Sequence, residues 1–200
     1  MAASELPESE VPPAPLDAEA AARRRAALEH VRAFGDPILR SRAREVEVFD
    51  EDLQRQVAQM GALMHDAQGI GLAAPQVGIA NRLLVYRVLS SGTLRVLVNP
   101  IVEWAGSDQE WLEEGCLSLP AVHVDVRRPI DVRVRARDQH GEGVLVEASG
   151  LEARVIQHEL DHLDGVLILD HAKRDQRKQA MRALREALAE RDELAHHGEH

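Results

Sequence analysis

The segment Gln157-His158-Glu159-Leu160-Asp161-His162 constrains this chain more than any other, because two imidazoles four positions apart work together only if the backbone between them is helical. On a helix they stand one turn apart on one face, where a single metal ion can bind both. Glu159, between them, is placed to reach a water at that ion without ligating it, and so to serve as general base and then acid. Neighbouring residues support the helix. Ser149 is an N-cap candidate, Leu151, Val155, His158, Glu159 and His162 share one side, and Gly165 can close it. A solvated helix with incidental histidines is the plainer reading, and a third ligand decides between the two.

A catalytic ion wants three protein ligands and an open position. Cys116 is the candidate: it follows Glu113-Glu114-Gly115, where glycine permits close approach of the backbone and a metal would hold the sulfur as thiolate. A buried structural cysteine is the competing reading. A thiolate ligand reduces the Lewis acidity of the ion relative to a third imidazole and admits softer or redox-active metals, Fe(II) alongside Zn(II). Metalloproteases of the H-E-x-x-H-x-x-G-x-x-H type take their third histidine from downstream. Gly165 matches that pattern, but Ile168 stands where the histidine belongs. The protease reading therefore lacks a ligand that an upstream cysteine can supply.

With 200 residues, 44% of them hydrophobic, the chain has enough material for one domain with a real core. Aromatics make up only 2%, so the core must be aliphatic and no stacking platform for single-stranded nucleic acid is available. A formal charge of -10 also disfavours a phosphate backbone, and no specific nucleic-acid partner is expected. The single cysteine rules out an intramolecular disulfide framework and fits a reducing compartment. Met1 to Ala22 holds Glu5, Glu8, Glu10, Asp17 and Glu19 without a basic residue or an apolar run, which is not a targeting signal. Nowhere do about eighteen apolar residues follow one another. The expectation is a soluble, cytoplasmic protein with no membrane partner.

Three regions follow from the pattern. Residues 1–26 read as an acidic, Pro- and Ala-rich extension, disordered in part, with Pro7, Pro12, Pro13 and Pro15 breaking any helix before helix formers run from Asp17 to Glu29. Residues 27–172 read as the catalytic domain, and 173–200 as a basic amphipathic helix with a polar tail. Inside the domain, Leu53, Val57, Met60, Leu63 and Met64 predict a helix over Glu51 to Asp66, with Asp50 as its cap. Gly69-Ile70-Gly71 opens a loop through Pro75. Arg82 to Val88, Leu94 to Val98, Ile130 to Arg135 and Val144 to Glu147 predict short strands, paired antiparallel.

Three segments, taken together, resemble the three motifs of the peptide deformylase family. Gly69-Ile70-Gly71-Leu72-Ala73-Ala74-Pro75-Gln76 resembles the first, Glu114-Gly115-Cys116-Leu117-Ser118 the second and Gln157 to His162 the third, in family order. Phe34-Gly35-Asp36-Pro37, Asn99-Pro100 and His162-Leu163-Asp164-Gly165 extend the likeness from about Val31 to Asp170. The resemblance implies an α+β fold with antiparallel sheets around the helix of the third motif. It implies that Cys116, His158 and His162 hold one divalent metal, Fe(II) in the cell with Zn(II), Ni(II) or Co(II) as substitutes, and that Glu159 is the catalytic acid-base. It also implies that the Gln76 side-chain amide and the Leu117 backbone N–H stabilise an oxyanion; without it, Gln76 would be an ordinary loop glutamine.

The activity so implied is removal of the N-formyl group from the formylmethionine of nascent peptides, releasing formate. Gly69, Ile70 and Gly71 are then placed to pair with the peptide backbone as an added strand, and Leu112, Leu151 and Val155 are candidates for an apolar methionine pocket, with core packing as their alternative role. The basic C-terminal helix is a candidate for docking at the ribosome, with a solvated helix as the plainer reading. One departure stands beside the motifs: Ala121 follows Leu119-Pro120 where the family often has glycine. A metalloprotease and a metal-binding interaction protein without catalysis are the alternative functions, and the presence of both Gln76 and Glu159 argues against the latter.

Overall fold

The computed structural model describes residues 18–88 and 92–197, so the expected disorder of residues 1–17 lies outside the described residues. Helix α1 (Ala18–Glu29) buries only Ala27. Helix α2 (Glu51–Asp66) forms as the apolar spacing requires. Asp50, in an extended conformation, accepts a hydrogen bond from the Leu53 N–H at 3.0 Å, and Glu51 and Asp52 put negative charge in the first turn, where the helix dipole favours it. Leu53, Val57, Met60 and Met64 then point into the core.

A five-stranded antiparallel sheet carries the molecule. Its strands are β1 (Gly71–Ala73), β2 (Leu83–Tyr86), β3 (Arg95–Ala105), β6 (Asp131–Arg137) and β7 (Gly143–Ser149), in the order β1-β2-β3-β6-β7. Because side chains alternate across a strand, Leu83 and Val85 of β2 pack with α2, while Leu84 and Tyr86 pack with Val155, Ile156 and Leu160 of helix α3 (Gly150–Leu163). Each helix thus covers one face, and β2 reads as a continuous apolar run because both of its faces are buried. On β6, Val132, Val134 and Ala136 face α3. The outward Arg133 and Arg135 pair with Glu147 and Glu103 on neighbouring strands.

A second layer, a ribbon of β4 (Gln109–Cys116) and β5 (Leu119–Pro129), was not expected from the strand signals. It closes over the other side of α3. Behind it lie the short helix α4 (Ile168–His171) and the long helix α5 (Arg174–His197). Ala180 and Leu184 of α5 pack with Val122, Val124 and Val126 of β5 and with Leu167, Ile168 and Leu169. The basic helix is therefore anchored by its apolar face. The result is an α+β fold in which α3 is held between a sheet and a ribbon. Among the described residues no helix is long and apolar enough to cross a membrane.

A candidate metal centre in a peptide-sized cleft

Helix α3 brings His158 and His162 into edge-to-face contact, ring centroids 5.1 Å apart. Its predicted cap, Ser149, is extended but makes no side-chain capping bond; the Gln157 amide instead ties the helix to the ribbon, donating to the Pro129 carbonyl at 3.0 Å. Cys116 arrives from the end of β4 at a register shift in the ribbon, where Gly115 pairs with His123 but Cys116 pairs with Leu119. That shift turns the sulfur towards the helix, 3.2 Å from Nε2 of His162. One donor atom from each of Cys116, His158 and His162 lies within 4.8 Å of the others. One sulfur and two imidazole nitrogens so gathered suit a single borderline-soft divalent ion and leave a coordination position for substrate or water.

Around these ligands is a charge network in which only Asp161 belongs to the helix motif's own spacing. Glu114 is buried. Its Oε2 lies 2.9 Å from Nδ1 of His158, while Arg128 approaches both oxygens at 2.7 and 2.9 Å and Arg154 approaches Oε1 at 2.7 Å. Burial alone would raise the Glu114 pKa, but His158 and Arg128 hold the carboxyl far below its ordinary range. Although burial opposes it, the bonds to Cys116 and Glu114 hold the His158 pKa well above the ordinary value, so the metal-free ring is charged; Glu114 fixes its Nδ1–H, and an ion would take the place of the proton on Nε2. Arg128 continues to Asp161 at 2.9 Å, and Asp161 to Nε2 of His171 at 2.8 Å. Sequence reasoning quoted Glu114 within a motif without giving it a role, and missed Arg128 and Arg154. A signal for Arg128 existed: it continues the stripe Val122, Val124, Val126 on the buried face of β5, and an arginine there needs a buried acid.

Glu159 is buried as well, and its Oε2 has no hydrogen-bond partner among the described residues. Burial, opposed by the nearby charges of His158 and Arg128, pushes its pKa up to about 7. Its neighbour across the cleft is Gly71, where a Cβ would meet the Glu159 carboxylate, so a larger residue there would displace that side chain. Burial and the charge of His158 push the pKa of His162 well below the ordinary value, which keeps the ring neutral, as a metal ligand must be. Gln76 accepts the Ala73 N–H on Oε1 at 2.9 Å, so its amide N–H groups face inward, towards Ser118 Oγ at 3.3 Å and Cys116 Sγ at 3.7 Å. Leu117 occupies the turn between β4 and β5, next to the sulfur.

Gln76, Cys116, Leu117, His158 and Glu159 line a cleft of about 600 Å³, with Gly69, Ile70 and Gly71 on one wall and Leu151 and Val155 on another. Leu112 is the exception among the expected pocket residues. It is 45% exposed and lies outside the lining, because it sits two positions before Glu114 on the ribbon, clear of the cleft. Ala121, also on the lining, has φ of +58°, the left-handed conformation that favours glycine.

The sequence profile described as polypeptide deformylase matches residues 28–178. The chain belongs to that family. A peptide deformylase of Acidothermus cellulolyticus is 44% identical over 161 residues, which is 80% of this chain and 88% of the relative. A peptide deformylase of Parafrankia is 43% identical over 157 residues, covering 78% and 85% of the two chains. Among solved structures, a peptide deformylase from Legionella pneumophila superposes with a TM-score of 0.78 at 36% identity, over 81% of this chain and 96% of that one. The family and the α+β fold implied by the three motifs are thus borne out together.

Proposed function

We infer that this deformylase-family chain is a metal-dependent hydrolase that removes the formyl group from N-terminal formylmethionine, leaving formate and a free amine. The observation that carries the reading is the meeting of Cys116, His158 and His162 beside the buried Glu159, at the end of an open edge strand. Among the described residues β1 pairs only with β2, so its other edge can accept an extended peptide by strand addition at Gly69 to Gly71. Leu151 and Val155 then flank the methionine side chain.

Cys116, His158 and His162 would hold the ion, which when bound supplies Lewis acidity to the formyl carbonyl and to water. Glu159 receives the proton of the attacking water and passes it to the departing amine, and its buried Oε2, with no hydrogen-bond partner among the described residues, is open to both transfers. The inward N–H of Gln76 and the backbone N–H of Leu117 donate to the developing oxyanion, each contribution worth about 2.7 to 4 kcal/mol in comparable sites. Fe(II) is the ion we assign for the cell, with Zn(II), Ni(II) and Co(II) as functional substitutes, since a Cys-His-His donor set accepts all four.

The protease alternative loses further ground in the fold, because Ile168, at the place of that family's third histidine, is 2% exposed in the core cluster behind the ribbon. Formyl-Met-Ala should be turned over, and acetyl-Met-Ala and an internal peptide should not. Glu159→Ala should abolish the turnover; undiminished activity in that variant eliminates the mechanism. We place the enzyme in the cytoplasm, with residues 27–172 as the catalytic domain flanked by 1–26 and 173–200. Ribosome docking through the outward basic face of α5 is part of the same proposal. Truncation after Ala172 would strip cover from Val122, Val124 and Val126, so the informative variant is the charge reversal Lys178→Glu, Arg182→Glu, Arg185→Glu, and unchanged ribosome co-sedimentation would refute the docking.

A further inference from the structure

Helix α1 adds an outer wall to the cleft. Arg24, which precedes the family match at residue 28, and Leu28 both line the cleft alongside Gly69 and Leu151. They are four residues apart and so share a helix face, while the adjacent face buries Ala27 and, just beyond the helix, Val31. The chain leaving α1 is tied to the catalytic loops at two points. The Arg32 N–H donates to the Gln76 carbonyl at 2.7 Å, and the Phe34 N–H donates to the Ser118 carbonyl at 3.0 Å. The helix is thereby registered against the site, and Arg24 stands two turns back from the first of those anchors.

The charge of Arg24 is what distinguishes it. Every other cationic or histidine side chain lining the cleft, among the described residues, faces a carboxylate: Arg154 and His158 face Glu114, and His123 faces Glu113 at 3.6 Å. Arg24 is exposed and has no carboxylate partner among the described residues, although its neighbour Arg23 pairs with Glu19 at 2.7 Å. We propose that Arg24 is a specificity-determining residue that recognises an acidic side chain on the substrate, downstream of the methionine, with Leu28 packing against the peptide beside it. This rests on the deformylase reading, because that reading sets which end of the peptide lies at the ion. Arg24 touches no reacting atom in this account; it selects among substrates by pairing charge at a partly solvated rim.

The test uses the peptides formyl-Met-Ala-Xaa-amide and formyl-Met-Ala-Ala-Xaa-amide with Xaa as Glu, Gln or Lys. In one of the two series kcat/KM should fall from Glu to Gln to Lys by about two- to fivefold per step, the size expected of an exposed ion pair, and the spread should narrow as salt is raised. Arg24→Ala should level the series and Arg24→Glu should invert it. Equilibrium binding of the same peptides to the Glu159→Ala protein provides a readout independent of turnover. If no formyl peptide is turned over but binding keeps the order, the deformylase reading fails and the recognition by Arg24 stands. If turnover is normal and neither series is graded, or if Arg24→Ala leaves the grading as it was, the inference is overturned.

Discussion

Glu114 shows how much of the candidate site depends on a residue outside the three expected ligands. A carboxylate with two arginines and one imidazole around it orients His158 through Nδ1. Glu114→Gln keeps the volume but removes the charge, leaving Arg128 and Arg154 buried beside a neutral amide. The expected result is a metal affinity lowered about 10- to 100-fold, read by competition with a chelator, and a loss of stability by thermal melting. Ala121 makes an opposite case. Its φ of +58° is strained for a residue with a Cβ, and Ala121→Gly should relieve the strain, raising stability by about 1 kcal/mol with little change of fold. A lower melting temperature in that variant would show that the left-handed conformation carries no penalty there.

At the scale of elements, the β4-β5 ribbon and α5 form a unit that depends on mutual burial. Leu184 is fully buried against Val122, Val124 and Val126, so Leu184→Ala should cost about 2 to 5 kcal/mol, measured by denaturant unfolding, because the cavity cannot be filled from an exposed helix. If α5 were merely a solvated appendage, the same change would leave the midpoint unmoved. The ribbon also explains why its strands were hard to read in the chain. On β4, Trp111 and Leu112 are 45% exposed while Glu114 is buried, which inverts the usual pattern of apolar in and polar out. β5 alternates cleanly from Val122 to Val126, but the next buried position of that stripe holds the charged Arg128, where the strand meets the charge network.

For the molecule as a whole, burying an unpaired carboxylate at the centre has a cost that depends on pH. A carboxyl raised in the folded state to about 7, from about 4.3 in an unfolded chain, binds its proton more tightly when folded. The folded state then holds more protons between those values, so stability falls as pH rises from about 4.3 to about 7 and the penalty is complete above that. In protein stripped of metal, Glu159→Gln should remove this dependence and raise stability above pH 7 by about 1 to 3 kcal/mol, while leaving no turnover in the metal-loaded enzyme. Parallel pH profiles of wild type and variant would contradict it. Under the role proposed for Glu159, function and stability are opposed at one residue, and the rest of the fold supplies the difference.

Residue spacing along the chain determined the helix that presents His158 and His162, the cap and buried face of α2, and the three ordered motifs that name the family, because each is a local pattern set by helix periodicity or by contiguous residues. It did not determine that Leu112 would leave the cleft, that Glu114, Arg128 and Arg154 would form one buried charge cluster, or that Arg24 would stand over the opening. Those outcomes require β4, β5, α1 and α3 to meet. Pairing across such distances is decided by which faces the whole chain can bury at once, a balance of burial and charge that no short stretch contains.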